Sequence, residues 1–167
     1  MTVHDMHLEI SKDIAASPES IYALVSDLSR MGEWSTENIG GEWTNGEPGQ
    51  VGSRFLGTNR IKTFEWSVPV EVTIANPGEC FEFVAAPDDG PFVRWTYQIQ
   101  ASDHGCTLTE IWDVMALPPS LAKMDEEALA GRKAAVQGTI EATLEGVKAS
   151  AETVSYTHLT LPTTPYV

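Results

Sequence analysis

The stretch LTEIWDV, residues 108–114, places an acidic side chain among apolar ones. In a β-strand alternate side chains share a face, so Glu110 falls into one row with Leu108, Trp112 and Val114. An ionised carboxylate in such a row is costly unless a partner compensates for its lost hydration. Burial raises the pKa of a carboxyl group, which suits it to acid or base catalysis on a ketone-bearing ligand. Glu110 is therefore the candidate catalytic residue.

A second interpretation of Glu110 is structural or ligand-anchoring. The carboxylate would then be satisfied by Tyr97, lying diagonally across a strand pair, by Asn59, by Trp66 or by an ordered water. Buried acids with shifted pKa values mark functional sites only as a statistical tendency. The sequence leaves both interpretations open.

The parity of the neighbouring strands supports an inward Glu110. A tight turn at DHG, residues 103–105, is predicted to place Ile99 opposite Glu110 and Tyr97 opposite Trp112. The other face of this hairpin is almost entirely polar and is the predicted solvent side. A turn at ANPG predicts a matching inward row on the preceding hairpin: Phe64, Trp66, Val68, Val70, Val72, Ile74, Phe81 and Phe83.

The inward face predicted in this way is rich in large aromatic side chains and carries a few polar groups. Such a composition is typical of a small-molecule cavity, although the same residues would also serve as an ordinary core. The predicted ligand-binding residues are Phe55, Asn59, Trp66, Phe81, Phe83, Trp95, Tyr97, Trp112, Val136 and Ile140.

Helical elements flank the alternating region on both sides. A first strand over residues 3–14 is followed by a helix that Ser17 caps and Pro18 opens, and then by a short helical turn at SRMGEW. Residues 39–116 alternate between strand-like stretches and glycine- or proline-bearing turns, as in an antiparallel meander. A long amphipathic helix is predicted near the C-terminus, with one apolar stripe: Val136, Ile140, Leu144, Val147 and Ala151.

Composition excludes several functional classes. The chain has 167 residues and a net charge of −14, with 10 basic residues against 24 acidic ones, so neither nucleic acid nor an anionic membrane surface is an expected partner. No apolar run approaches the length of a membrane span, and the N-terminus lacks the pattern of a secretion signal, so a cytoplasmic protein is expected.

Cys80 and Cys106 are interpreted as free thiols. His4 and His7 differ by an odd number on one strand and do not converge on a metal.

The last residues differ from the rest of the chain. Residues 154–167, VSYTHLTLPTTPYV, contain no Asp, Glu, Lys or Arg, and they follow a helix that is predicted to be complete. They resemble translated adapter sequence, and we expect a disordered tail. Residues 1–153 are predicted to form one ligand-binding domain.

Several motifs together resemble the polyketide cyclase/dehydrase and lipid-transport family, a branch of the START-like helix-grip superfamily. They are SPESIYALVSDLSRMGEWS, GSRFLGTNR, FEWSVPVEV, NPGECFEF, WTYQI and GCTLTEIWDV, and the resemblance covers residues 3–152. It implies an α+β helix-grip fold, in which a seven-stranded antiparallel sheet curls around the long C-terminal helix and two short helices follow the first strand.

The resemblance implies a hydrophobic cavity but no single reaction. The expected function is binding of a polyketide- or lipid-like small molecule, with cyclisation or dehydration as one possibility. A non-enzymatic carrier is the alternative, and a chaperone-activating type of interaction module is a weaker one. No metal or cofactor is expected, and a monomer or homodimer would serve either function. Asp27 and Arg30 are predicted to pair or cap locally, and Trp34 to close one end of the cavity.

Overall fold

A single seven-stranded sheet forms the body of the molecule. The computed structural model describes residues 2–160, with side chains over residues 2–153. The strands are β1 (His7–Ile14), β2 (Asn38–Asn45), β3 (Arg54–Ile61), β4 (Phe64–Asn76), β5 (Cys80–Ala85), β6 (Val93–Ser102) and β7 (Gly105–Val114). They pair antiparallel in the order β1-β7-β6-β5-β4-β3-β2. A 3-10 turn at Val3–Asp5 precedes β1, which therefore begins later than predicted.

Helices cover the concave face of this curled sheet. Helix α1 (Pro18–Val25) begins where predicted, because the Ser17 hydroxyl accepts a hydrogen bond from the Ser20 N–H at 3.1 Å. A 3-10 helix (Leu28–Glu33) follows it. After the short α2 (Pro119–Ala122) comes the long α3 (Glu126–Thr160). The sheet curled around a long C-terminal helix confirms the predicted helix-grip fold.

The apolar stripe of α3 lies in the core, as its spacing predicted. All five stripe residues are at most 4% exposed: Val136, Ile140, Leu144, Val147 and Ala151. Residues at this spacing occupy one side of a helix, and that side packs into the concave sheet face. The amphipathic pattern thus determines which face of α3 meets the site.

The β6–β7 register differs from the predicted one by two residues. Tyr97 pairs directly with Glu110, and Trp95 pairs with Trp112, because the two-residue turn lies one position earlier than predicted and places Ser102, not Asp103, at its start, opposite Gly105. Gly105 closes that turn at φ 142°, a conformation that favours glycine. A shift of two residues moves every partner but keeps every side chain on its face. The predicted inward face is therefore correct although its pairs are not.

A β-bulge interrupts the predicted inward row of β4. The pairing with β5 shifts between Val72 and Ile74, so that Ala75, not Ile74, lies opposite Phe81. An extra residue in one strand reverses the alternation beyond it. Phe64, predicted to be inward, is 68% exposed near the end of the β3–β4 hairpin.

The end of α3 also departs from expectation. The helical backbone runs on to Thr160, whereas the helix was predicted to be complete before residue 154. The expectation of a disordered tail over residues 154–167 stays a prediction. Residues 161–167 lie outside the described residues, and so does that part of the tail prediction.

Candidate functional site

Glu110 lies inside the protein, on the concave face of β7. It is 3% exposed, and the inward neighbours on its strand, Leu108 and Trp112, are buried with it. Strand alternation alone accounts for this position, because the opposite face of β7 carries Thr109, and that of β6 carries Gln98.

The partner of the Glu110 carboxyl is Tyr97, directly across the strand pair. The Tyr97 hydroxyl lies 3.0 Å from Glu110 Oε2 and 3.6 Å from the sulfur of Met31. Tyr97 is 1% exposed, so this contact is shielded from bulk water. The second carboxyl oxygen, Oε1, is buried and makes no hydrogen bond with any described residue. It is the atom left to bind a molecule in the site.

Burial raises the pKa of Glu110 to about 8, and the hydrogen bond from Tyr97 opposes that rise without cancelling it. The pKa of Tyr97 is raised well above 10, first by burial and then by the neighbouring Glu110. Both groups are therefore neutral at pH 7, and the site holds a protonated carboxyl group. A carboxylic acid in this state can donate a hydrogen bond, which a carboxylate cannot do.

A cavity of about 100 Å³ lies beside this pair, between the sheet and α3. It is lined by Met31, Ser35, Glu37, Asn38, Asn59, Phe83, Trp95, Tyr97, Glu110, Arg132, Val136, Thr139 and Thr143. The predicted residues Asn59, Phe83, Trp95, Tyr97, Glu110 and Val136 are among them. The wall thus combines apolar side chains, such as Phe83, Trp95 and Val136, with polar and charged ones.

Other predicted ligand-binding residues lie outside this lining: Phe55, Trp66, Phe81, Trp112 and Ile140. They share the inward face, but the cavity occupies only part of it. Phe81 packs edge-on against the Tyr22 ring of α1, with centroids 6.0 Å apart. Phe55 packs similarly against Trp43 at 5.2 Å, and Trp66 stacks on Phe64 at 5.5 Å. Trp112 and Ile140 are at most 3% exposed and belong to the core.

One end of the cavity is polar, and sequence reasoning missed it. The carboxylate of Glu37 accepts two hydrogen bonds from the guanidinium of Arg132, at 2.7 and 2.9 Å. The Thr36 and Thr139 hydroxyls lie 3.1 Å apart, which adds a second link between α3 and the segment before β2. The Asn38 amide donates to the Asn59 side-chain oxygen at 3.3 Å.

A signal for part of this end was present in the sequence. Arg132 lies four residues before Val136, Thr139 lies three after it, and Thr143 lies four after Thr139, so these residues share one face of α3. Polar residues within an apolar helical stripe indicate that this side of the helix faces a cavity. The other polar or flexible lining residues give no such indication, because they come from a 3-10 helix, a loop and the first position of β2: Met31, Ser35, Glu37 and Asn38.

The predicted Asp27–Arg30 pair does not form. Arg30 instead donates to Glu33, at 2.8 and 3.0 Å, because both side chains leave the 3-10 helix on one side. The Arg30 guanidinium also lies 5.3 Å from the centre of the Trp34 ring. Trp34 is 7% exposed but does not line the cavity; it packs against α3 at Gly146.

The remaining observations concern metal binding, the cysteines and membrane-spanning helices. Among the described residues, no group of three or more His, Cys, Asp or Glu side chains is arranged to hold a metal ion. Cys80 and Cys106 are both free thiols. No helix in the described part of the chain is long and apolar enough to cross a membrane.

The family described as polyketide cyclase/dehydrase and lipid transport matches residues 5–152. The chain belongs to this family. Membership in the polyketide cyclase/dehydrase family agrees with the curled sheet and the enclosed cavity, and it supports a hydrophobic ligand-binding fold. None of the curated proteins matches the sequence.

Solved structures share this architecture. A polyketide-cyclase-like protein from Corynebacterium glutamicum is 29% identical, with a TM-score of 0.65 over 92% of this chain and 95% of that one. The di-domain ARO/CYC protein of the steffimycin biosynthetic pathway is 13% identical, with a TM-score of 0.73 over 90% of this chain and 51% of that one. A major latex-like protein from Panax ginseng is 12% identical, with a TM-score of 0.66 over 87% and 96%. The last two similarities show the fold alone.

Proposed function

We propose that the cavity between the sheet and α3 binds a small hydrophobic molecule, polyketide- or lipid-like, through a carbonyl oxygen that faces Glu110. One observation carries this proposal: a neutral carboxyl group, almost fully buried, has one oxygen without a partner and lines a cavity. Leaving such an oxygen unpaired is costly, and a ligand that bonds to it recovers that cost.

The same carboxyl group is suited to acid catalysis. With a pKa of about 8, Glu110 holds its proton at neutral pH and can transfer it to a ketone oxygen as negative charge develops there. Protonation at that oxygen promotes enolisation, which is the step that cyclisation and dehydration of ketones share. Cyclase or dehydratase activity is therefore the catalytic form of the proposal.

A specific observation favours the alternative, a non-enzymatic carrier. Enolisation also needs a base, and the other acidic side chain on the cavity wall, Glu37, is held by Arg132 through two hydrogen bonds. Both oxygens of that carboxylate are thus already engaged by the guanidinium. If no other base acts, Glu110 only anchors the ligand.

The cavity size restricts the ligand or requires an opening. Its volume of about 100 Å³ is small beside the roughly 300–1,000 Å³ of typical ligand pockets. A compact ligand enters as the cavity stands. A polyketide-sized one requires the cavity to widen.

A binding experiment tests the shared part of the proposal. We expect the neutral dye N-phenyl-1-naphthylamine to bind with one-to-one stoichiometry and to quench tryptophan emission. Trp95→Ala removes an aromatic wall of the cavity and should weaken binding about tenfold, the effect of losing part of an apolar contact surface. Trp43→Ala, on β2 and outside the lining, is the matched control and should leave the affinity unchanged. Absence of saturable binding of both the dye and the smaller cyclohexanone by the folded protein would indicate a filled core.

Glu110→Gln separates catalysis from anchoring, with cyclohexanone as the probe. If Glu110 is an acid catalyst, the wild type accelerates exchange of the ketone α-protons with deuterium. The variant should then lose that acceleration about 100-fold or more while affinity stays within a few-fold. If Glu110 only anchors, the wild type shows no acceleration, and the variant binds more weakly by about 1–3 kcal/mol. No change in either quantity would contradict both roles.

A further inference from the structure

The hydroxyl of Tyr97 stands between two acceptors. Glu110 Oε2 lies 3.0 Å away on one side, and the sulfur of Met31 lies 3.6 Å away on the other. A phenol hydroxyl carries one proton, so it donates to only one of these atoms at a time and can accept a hydrogen bond in return. All three residues line the cavity, and none is more than 9% exposed.

Two proton arrangements are compatible with this geometry. In the first, the carboxyl proton sits on Glu110 Oε1, and the Tyr97 hydroxyl donates to Oε2. In the second, the carboxyl proton sits on Oε2 and is donated to the Tyr97 oxygen, while the Tyr97 proton turns to the Met31 sulfur. Neither arrangement creates a charge. In the first, the proton on Oε1 has no acceptor until a ligand supplies one. In the second, both hydroxyl protons of the trio have an acceptor within it.

The two arrangements give Oε1 opposite hydrogen-bonding characters. Oε1 carries a proton to donate in the first arrangement, and it is a bare acceptor in the second. We infer that Met31, Tyr97 and Glu110 form a two-state proton relay, which lets Oε1 donate to a ketone or accept from an alcohol at the same position. This inference rests on the proposed function, and it deepens it by naming the ligand class: a neutral ketone–alcohol pair of one carbon skeleton.

Met31 is the residue on which donation from an alcohol to Oε1 depends. In the first arrangement an alcohol can accept from Oε1 as a ketone does, but Glu110 then gives the alcohol proton no acceptor. The thioether is a weak acceptor, so the second arrangement is the less stable one, and we expect a modest preference for the ketone. Without the sulfur, the Tyr97 proton would have no acceptor in the second arrangement. The first arrangement does not use the sulfur. Met31 thus acts through Tyr97 and Glu110, as a positioning residue that sets the selectivity between the two ligands.

The test uses cyclohexanone and cyclohexanol, titrated into the folded protein and followed by NMR. We expect the wild type to bind them with affinities within about tenfold of each other. Met31→Leu keeps an apolar side chain of similar volume, so it should lower alcohol affinity relative to ketone affinity by about fivefold or more. Val136→Ala, which also alters the cavity wall, is the control and should change both affinities by the same factor.

A spectroscopic readout separates the relay from a change in cavity shape. Met31 lines the cavity, so either ligand can shift its methyl carbon signal by contact. Cyclohexanol should shift that signal further than cyclohexanone does, because it also turns the Tyr97 proton to the sulfur. Equal losses for both ligands in Met31→Leu would overturn the inference. So would failure of both to bind a wild type that still binds N-phenyl-1-naphthylamine, a result that leaves the proposed binding function intact. Absence of binding by the dye as well would remove the proposed function itself.

Discussion

Glu110→Gln is expected to make the protein more stable than the wild type at pH 8 and above. The pKa of Glu110 rises from 4.5 to about 8 in the folded state because the group is buried. Between these values the folded protein holds one more proton than the unfolded chain, so the free energy of unfolding falls by about 1.4 kcal/mol per pH unit as pH rises. Stability is therefore greatest below pH 4.5 as far as this group is concerned, and about 5 kcal/mol is lost by pH 8.

Glutamine keeps the shape of the side chain and an oxygen that can accept from Tyr97, but it does not titrate. Urea denaturation at intervals from pH 5 to pH 9 measures the difference. The wild type should show the downward slope, and the variant should lack Glu110's share of it. Glu42→Gln, on an exposed position of β2, controls for removing one carboxylate from an acidic chain. An identical slope in the wild type and in Glu110→Gln would mean that the Glu110 carboxyl group is solvated.

Gly146→Ala is expected to destabilise the protein, although alanine is normally the better helix former by about 1 kcal/mol. A Cβ atom at Gly146 would collide with Cβ of Trp34 and lie 3.2 Å from its Cα. These atoms cannot move without the backbone of the segment that carries Trp34. Overpacking of this kind costs about 1–3 kcal/mol, which exceeds the gain in helix propensity.

The same helix supplies a matched control. A Cβ atom at Gly138 meets no other atom within 4 Å, so Gly138→Ala should raise the free energy of unfolding by up to about 1 kcal/mol. Chemical denaturation of the two variants should therefore give changes of opposite sign. A stabilised Gly146→Ala protein would show that Trp34 does not pack closely against α3.

Periodicity by itself determined the main features of this protein. The apolar stripe of α3 could be read from spacings of three and four residues, and strand alternation placed Glu110 on the inward face. Both are local properties, since the direction of a side chain follows from backbone geometry within a few residues. The motifs spread along the chain were sufficient to predict the family and its fold.

Tertiary structure alone decided which groups meet. A turn shifted by one position made Tyr97 the partner of Glu110, and one bulge moved Ile74 off the row that faces the cavity. The pairing of Glu37 with Arg132 joins residues that are 95 positions apart in the chain. Such contacts depend on how distant segments pack, and no local period encodes them. The sequence therefore predicted a buried acid, but only the folded chain determined its hydrogen-bond partner, its free oxygen and the shape of the space beside it.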